Sequence, residues 1–484
     1  MPAASVLMGF LLLLIGPRYA NPFVAPPSSS ADLVGSWLGT LQAGAFQLRV
    51  VFHISRDPDG VLSATLDSPD QGATGIPVDT VVVKGDTLHM EVRAVLGAYE
   101  GTISRDGMTI DGEWRQSGQV LALVLKRTDE MPVARRPQEP KPPFPYDEET
   151  VVFDNVEAGV TLAGTLTKPR TGGPFPAVVL ISGSGPQDRD EALLGHKPFL
   201  VLADYLTRQG LVVLRFDDRG VGASTGTFAT ATSEDFAGDV LAAVAYLKGR
   251  PDVDPAGIGL AGHSEGGLIA PMAAVRSADV AYLVLMAGPG LSGEEILYRQ
   301  AALIARASGT SEEAIDQNRA RQQRLFEVLK TEPDRASAAA QLRTILMESM
   351  AAMSDEEKRA LGLTGSDVET VIERQVEQIN APWFRFFLTY DPAPTLRKVT
   401  CPVLAVNGDK DLQVPSQANL EAIDAALRDG GNTAVTTMAL EGLNHLFQTA
   451  ATGAPSEYAT IEETFSPEAL AVIGDWIVAQ TSRP

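Results

Sequence analysis

Residues 259 to 267 read Gly-Leu-Ala-Gly-His-Ser-Glu-Gly-Gly. They contain a G-x-S-x-G pattern, Gly262-His263-Ser264-Glu265-Gly266, set between an apolar run (Ile258 to Ala261) and a helix-like segment (Leu268 to Val275). A strand, a sharp turn bearing the serine and a helix are the context this pattern requires. The two glycines leave room for a strained turn that lifts the hydroxyl clear of the sheet edge. In a chain with 44 glycines such a pentapeptide also arises by chance. The flanking strand and helix single this one out.

The surrounding pattern fits. After residue 150, Val151 to Phe153 and Val160 to Lys168 look like an opening hairpin, and strands and helices then alternate. Pro176 to Ile181, Leu211 to Phe216, Gly257 to Ala261, Val280 to Met286, Pro402 to Val406 and Val435 to Leu440 read as strands, most of them apolar. Pro198 to Arg208, Ser233 to Leu247 (with Ser233 as N-cap), Pro415 to Leu427 and Pro467 to Ala479 have helical periodicity. Such alternation means a parallel sheet covered on both faces. It breaks at about residues 291–396, a helical block rich in Ala, Glu, Arg and Gln that ends in Pro382-Trp383-Phe384-Arg385-Phe386-Phe387. An insertion at the carboxyl end of a strand sits where ligands bind in open α/β sheets, so the block reads as a cap. Its aromatics either line an apolar pocket or fasten the cap to the core.

Residues 31–128 read differently. Leu48, Val50, Phe52 and Ile54 alternate with their neighbours at a period of two. Asp59-Gly60 and Asp106-Gly107 mark turns between further short strands. Evenly spaced strands predict a small antiparallel barrel or sandwich. Gly35-Ser36-Trp37 and Gly112-Glu113-Trp114 are similar to strand motifs of lipocalin-like barrels. No acid, base and nucleophile cluster is visible here, and the module reads as structural or docking. Residues 129–149 carry six prolines and read as an extended linker.

The apolar run Val6 to Ile15 is too short to span a bilayer. It fits the core of a secretory signal over residues 1–25, with small-residue cleavage points near Ala20 or Ala25, although no basic residue precedes it. Residues 21–30 then form a Pro- and Ser-rich tether. The expectation is export to the periplasm or medium, with a cytoplasmic location the alternative.

Composition narrows the chemistry. A length of 484 residues suggests two or three domains, and 44% hydrophobic residues suffice for a large core. A net charge of −22 argues against nucleic acid, whose phosphates need clustered Lys and Arg. One cysteine, Cys401, excludes an internal disulfide framework and a Cys-rich metal site. Neither glycine-rich loop completes a dinucleotide fingerprint: Asp188 and Thr225 stand where the third glycine would be. No metal and no organic cofactor is expected.

A serine hydroxyl becomes a nucleophile only beside a general base, itself oriented by an acid. The chain has five histidines, and His445 is the one that follows Ser264, just past the last strand. His53 and His89 belong to the strand-rich part, His196 to a loop before a helix, and His263 should leave the serine turn in another direction. The acid should lie between serine and histidine, where Asp409 and Asp411 compete at a strand end. An anionic intermediate needs two amides. One is the N–H of Glu265, after the serine; the other comes from the loop Ile181 to Asp188, with Ser184 first and Gly185 second.

Four stretches together resemble the α/β-hydrolase superfamily: Ile181-Ser-Gly-Ser-Gly-Pro, Asp218-Arg219-Gly220-x-Gly222-x-Ser224, Gly262-His-Ser-Glu-Gly266 and Gly408-Asp-Lys-Asp411-x-x-Val-Pro415. With Asn444-His445-Leu-Phe447, residues 150–484 are similar to bacterial carboxylesterases that carry a separate N-terminal β domain. The resemblance implies an α/β-hydrolase sheet with a helical cap and a triad Ser264, Asp411, His445, the acid being the second carboxylate of its turn. It makes Asp218-Arg219-Gly220 structural. It implies cofactor-free acyl transfer on a small-molecule ester. Rival readings are a peptidase or aminoacyl hydrolase, a thioesterase or a lactonase on the same fold, and a binding protein on an inactive scaffold.

Overall fold

The computed structural model describes residues 33–43, 46–69, 73–95, 97–116, 119–129, 136–353 and 367–482. The expected signal segment and tether lie outside these residues, as do residues 130–135 of the expected linker. The chain divides into two compact units, one holding residues 136–338 and 378 onward, the other the preceding β-rich part together with residues 339–377. The helical insertion is thus shared between them.

The β-rich unit is one antiparallel sheet of nine strands, β1 (Gly35–Ala43), β2 (Phe46–Arg56), β3 (Leu62–Ser68), β4 (Ala73–Val78), β5 (Thr80–Lys84), β6 (Thr87–Val92), β7 (Gly97–Ile103), β8 (Thr109–Gln116) and β9 (Gln119–Thr128). Pairing of β1 with β9 curls the meander back on itself and leaves β4 and β5 at the edges. The arrangement is a nearly closed barrel rather than a sandwich. Both Gly-x-Trp tryptophans point inward: Trp37, Phe52, Tyr99 and Trp114 are buried together, and Phe52 lies 6.1 Å from the rings of both Tyr99 and Trp114. Their polar ends are satisfied, Trp37 Nε1 donating to the Leu33 carbonyl and the Tyr99 hydroxyl to that of Ile110.

The other unit contains an eight-stranded sheet: β10 (Asp147–Asn155), β11 (Val160–Lys168), β12 (Phe175–Ile181), β13 (Val212–Phe216), β14 (Val253–His263), β15 (Leu283–Met286), β16 (Val403–Gly408) and β17 (Val435–Leu440). Their order is β10-β11-β13-β12-β14-β15-β16-β17, and β11 runs antiparallel to both neighbours while β13 through β17 are parallel. This is the expected α/β-hydrolase sheet. Val178 and Leu180 face one side, where helices Pro198–Arg208 and Pro467–Thr481 bury Phe199, Leu202, Ile473 and Ile477 on the sheet. Helices Ser233–Lys248 and Gly266–Ala274 pack against each other and against β12 and β14. With both faces covered, the central strands tolerate no polar alternation, and β13, β15 and β16 are buried at every position.

Two local readings change. The N-cap of the helix at 233 is Thr232, whose side chain forms a capping box with Asp235. Ser233 instead turns its hydroxyl inward. Residues 136–146, proline-rich and read as a spacer, lie along the α/β unit. The Arg136 guanidinium donates to the carbonyls of Leu194, Gly195, Ala459 and Ile461, and Gln138 donates to that of Phe465. A planar cation with five donors can hold an extended segment that has few N–H groups of its own.

Candidate active site

Ser264 follows β14 directly and has φ +52°, a left-handed conformation that side chains other than glycine rarely adopt. The strain is held by neighbours: Ser264 N–H donates to the Met286 carbonyl at 2.8 Å, and its carbonyl accepts from Gly267 N–H at 2.9 Å. Gly266 has to be glycine, because a Cβ there would collide with the Ile181 carbonyl oxygen. That contact brings the serine turn against the end of β12 and the loop that follows it. A Cβ on Gly183 would lie 3.3 Å from Ser264 Cβ.

Of the two candidate acids, the structure brings Asp411 to His445. Asp411 Oδ2 is 2.7 Å from His445 Nδ1, and Oδ1 accepts the N–H groups of Gln413 and Val414 at 2.8 Å each. Asp409 instead ties its turn to the loop after β17, accepting Gly442 N–H at 2.7 Å. Because a carboxylate only accepts, Nδ1 carries the proton and the lone pair of His445 is on Nε2, the tautomer a general base needs. Ser264, Asp411 and His445 are all buried. Among the described residues Ser264 Oγ has no hydrogen-bond partner, so the expected bond from Ser264 to His445 is unformed; bonds between a nucleophile and its base often tighten only with substrate present.

The amide-bearing loop is tightly tied. Asp218 accepts the Ser182 hydroxyl at 3.0 Å and Gln187 N–H at 2.9 Å. Burial pushes the Asp218 carboxyl well above the usual range. Asp217 accepts from both the Arg189 backbone and its guanidinium. Gly183 N–H is committed to Glu191 Oε1 at 2.6 Å. Among the described residues the N–H groups of Ser184 and Glu265 have no partner, so both are available to an anion.

The Glu265 side chain is buried as well. Burial pushes its carboxyl up to about 7, against the lowering effect of hydrogen bonds from the Ser233 hydroxyl and the Trp383 indole. Those bonds are 2.6 and 2.7 Å, both to Oε1. The indole stacks on Phe387 at 5.4 Å within helix Pro382–Thr389. The aromatics therefore fasten this part of the insertion to the serine turn.

Residues 158–442 match the family described as X-Pro dipeptidyl-peptidase (S15 family), which is more than half of the chain. The chain belongs to the S15 family. This S15 chain is 32% identical over 194 residues to Esterase EstD of Thermotoga maritima, covering 40% of its own length and 43% of that protein. It is also 32% identical over 141 residues to an uncharacterised protein of Mycobacterium tuberculosis, covering 29% of this chain and 46% of that one. The chain thus spans less than half the length of the curated relatives it matches. Among solved structures it is similar to the α/β hydrolase GrgF from Penicillium sp. sh18 (17% identity, 69% of this chain and 99% of that chain, TM-score 0.43). It is likewise similar to the Pyrococcus furiosus esterase Pf2001 (15% identity, 70% and 92%, TM-score 0.42).

The S15 chain also carries a second Ser–His–Asp line that sequence reading does not see. On the β-rich unit, Ser36 Oγ is 3.0 Å from His53 Nδ1, and His53 Nε2 is 2.9 Å from Asp67 Oδ2. It runs across adjacent strands β1, β2 and β3 on positions that alternate with the buried Trp37, Phe52 and Leu66. It sits in regular ladders with no strained turn, and its ring nitrogens are used in the opposite sense to His445. Geometry of this kind is a polar cross-strand ladder. Among the described residues no helix is long and apolar enough to cross a membrane, and no group of three or more His, Cys, Asp or Glu could hold a metal ion.

His196 is a structural histidine. It is buried between the Thr464 hydroxyl and the Tyr458 carbonyl, each at 2.9 Å, and burial pushes its pKa down to about 4. The residues that sequence reading misses are Glu191, Ser233 and Trp383. Their partners lie 72, 32 and 118 positions away in the chain. No local pattern marks such pairs.

Proposed function

We propose that this protein is a serine hydrolase that cleaves small carboxylic esters, with short acyl chains, through an acyl-enzyme. The observation that carries the reading is the Asp411–His445 pair, set in the correct tautomer on the same site as a strained Ser264 flanked by two uncommitted amides. Ser264 Oγ attacks the ester carbonyl carbon and its proton passes to His445 Nε2. The amides of Glu265 and Ser184 receive the oxyanion, and Asp411 stabilises the imidazolium. Collapse breaks the bond to the alcohol oxygen, which leaves with the proton from His445. Water, deprotonated by the same nitrogen, then releases the acid. The side chains and backbone alone supply every step.

Similarity to an esterase supports the ester reading. The family description favours a second, a peptidase that removes dipeptides ending in proline. Burial of Ser264 and the Trp383–Glu265 contact favour a small substrate. A fluorophosphonate probe tests the nucleophile: it should label the peptide containing Ser264, and Ser264→Ala should abolish both labelling and ester turnover while the protein stays folded. Labelling at another serine would refute the assignment.

A further inference from the structure

His263 precedes the nucleophile and is buried, yet it has no step in the mechanism above. Its two ring nitrogens reach different parts of the site. Nδ1 is 2.9 Å from Glu191 Oε1, and Nε2 is 2.9 Å from the backbone carbonyl oxygen of His445. Glu191 Oε1 also accepts Gly183 N–H at 2.6 Å. A carbonyl only accepts, so Nε2 of His263 carries a hydrogen. Oε1 already accepts from Gly183, so Nδ1 donates as well, and the pair is an imidazolium held by a carboxylate. Burial by itself would lower the His263 pKa, but the Glu191 charge and hydrogen bond raise it above its ordinary value.

The pair ties together three parts of the site. One end grips the Gly183 amide, next to the free amide of Ser184. The other end grips the main chain of the base itself. The middle is covalently joined to Ser264. The rings of His263 and His445 lie 4.9 Å apart. Glu191 itself is held at φ +50°, so the chain accepts local strain to put its carboxylate there. Among the described residues, Glu191 Oε2 is buried without a partner.

We propose that Glu191 and His263 are positioning residues, which together set the spacing between the Ser184 amide and the His445 imidazole on either side of Ser264. The pair acts through the amide loop and the base loop and touches no substrate. Oxyanion donors work only within a few tenths of an ångström of the developing charge, and a displacement of about 1 Å costs on the order of a hundredfold in rate. The inference rests on Ser264 being the nucleophile.

The experiment uses the full chain and four variants, Glu191→Ala, Glu191→Gln, His263→Ala and His263→Gln. Fluorophosphonate labelling of the wild type at Ser264, with turnover of p-nitrophenyl butyrate, first establishes the site. Each variant that melts cooperatively is then measured for kcat, KM and the affinity of a trifluoromethyl ketone, whose hemiketal oxygen occupies the oxyanion position. The alanine variants should lose about 10- to 100-fold in kcat, with KM nearly unchanged and ketone affinity falling in step. Glu191→Gln keeps an acceptor for Gly183 N–H and should fall between wild type and Glu191→Ala. If an alanine variant fails to fold, the glutamine variants decide by the same criteria. Wild-type kcat and ketone affinity in folded variants, or a loss confined to KM, would overturn the inference. A wild type that neither labels nor turns over overturns the reading of the site, and the inference falls with it.

Discussion

Trp383 donates its indole N–H to Glu265 at 2.7 Å. Glu265 carries one of the two amides proposed to receive the oxyanion, so an aromatic helix of the insertion is anchored one residue from Ser264. Trp383→Phe keeps an aromatic ring to stack on Phe387 but removes this donor together with part of the buried indole. Urea unfolding should show a loss of at least about 1–2 kcal/mol, the cost of one hydrogen bond to a buried polar group, to which the lost ring volume adds. Unchanged stability would mean the bond contributes nothing to holding the helix in place.

Two buried groups give stability opposite pH dependences. Glu265 titrates at about 7 in the folded protein, above its ordinary 4.5. Between those values the folded state keeps a proton that the unfolded chain releases, so its contribution is full at low pH and is lost as pH rises through 7. Glu265→Gln retains an acceptor for Ser233 and Trp383. It should therefore gain on wild type between roughly pH 5 and pH 8, by about 3 kcal/mol at most. His196 titrates at about 4 instead of 6.5, and its contribution is present above 6.5 and lost as pH falls toward 4. Replacing His196 with Gln should remove that acid loss. A difference from wild type that stays flat with pH in either variant would contradict the assignment of that group.

The two aspartates of the acid turn differ in what they hold. Asp411→Asn should lower kcat by about 10⁴-fold, because an amide in that place no longer fixes the base tautomer. Asp409→Asn keeps an acceptor for Gly442 N–H. It should leave kcat near wild type. Ester kinetics on the two variants side by side check both statements, and the reverse ranking would move the acid to Asp409.

The parallel sheet was readable because its strands are buried on both faces. Val280 to Met286 and Pro402 to Val406 are uninterrupted apolar runs, and the fully buried β15 and β16 fall on them, whereas β17 is an edge strand and mostly exposed. β4 does not show itself in the sequence, and β1 shows itself only through Gly35-Ser36-Trp37. β1 carries Gly35 and Gly39 and no apolar alternation, and β4 holds Gly75 and Pro77. They are strands because neighbours pair with them, and that is tertiary information. The same limit applies at the site. Ser264 and His445 stand out by motif and by the scarcity of histidines. Glu191 does not, because its meaning lies in a bond to His263 72 residues later. Ser233 looked like a cap because serines before helices usually are caps; here Thr232 takes that role and frees Ser233 for Glu265.

The central claim is that Ser264 transfers acyl groups from small esters. The direct measurement is kcat/KM for p-nitrophenyl butyrate and for Ala-Pro-p-nitroanilide, on wild type and Ser264→Ala in the same buffer. The ester should be the better substrate by at least about a hundredfold (roughly 3 kcal/mol in the barrier), and both activities should vanish with Ser264. Preference for the dipeptidyl anilide would make the protein a peptidase. Ester turnover that survives Ser264→Ala would contradict the account at its centre.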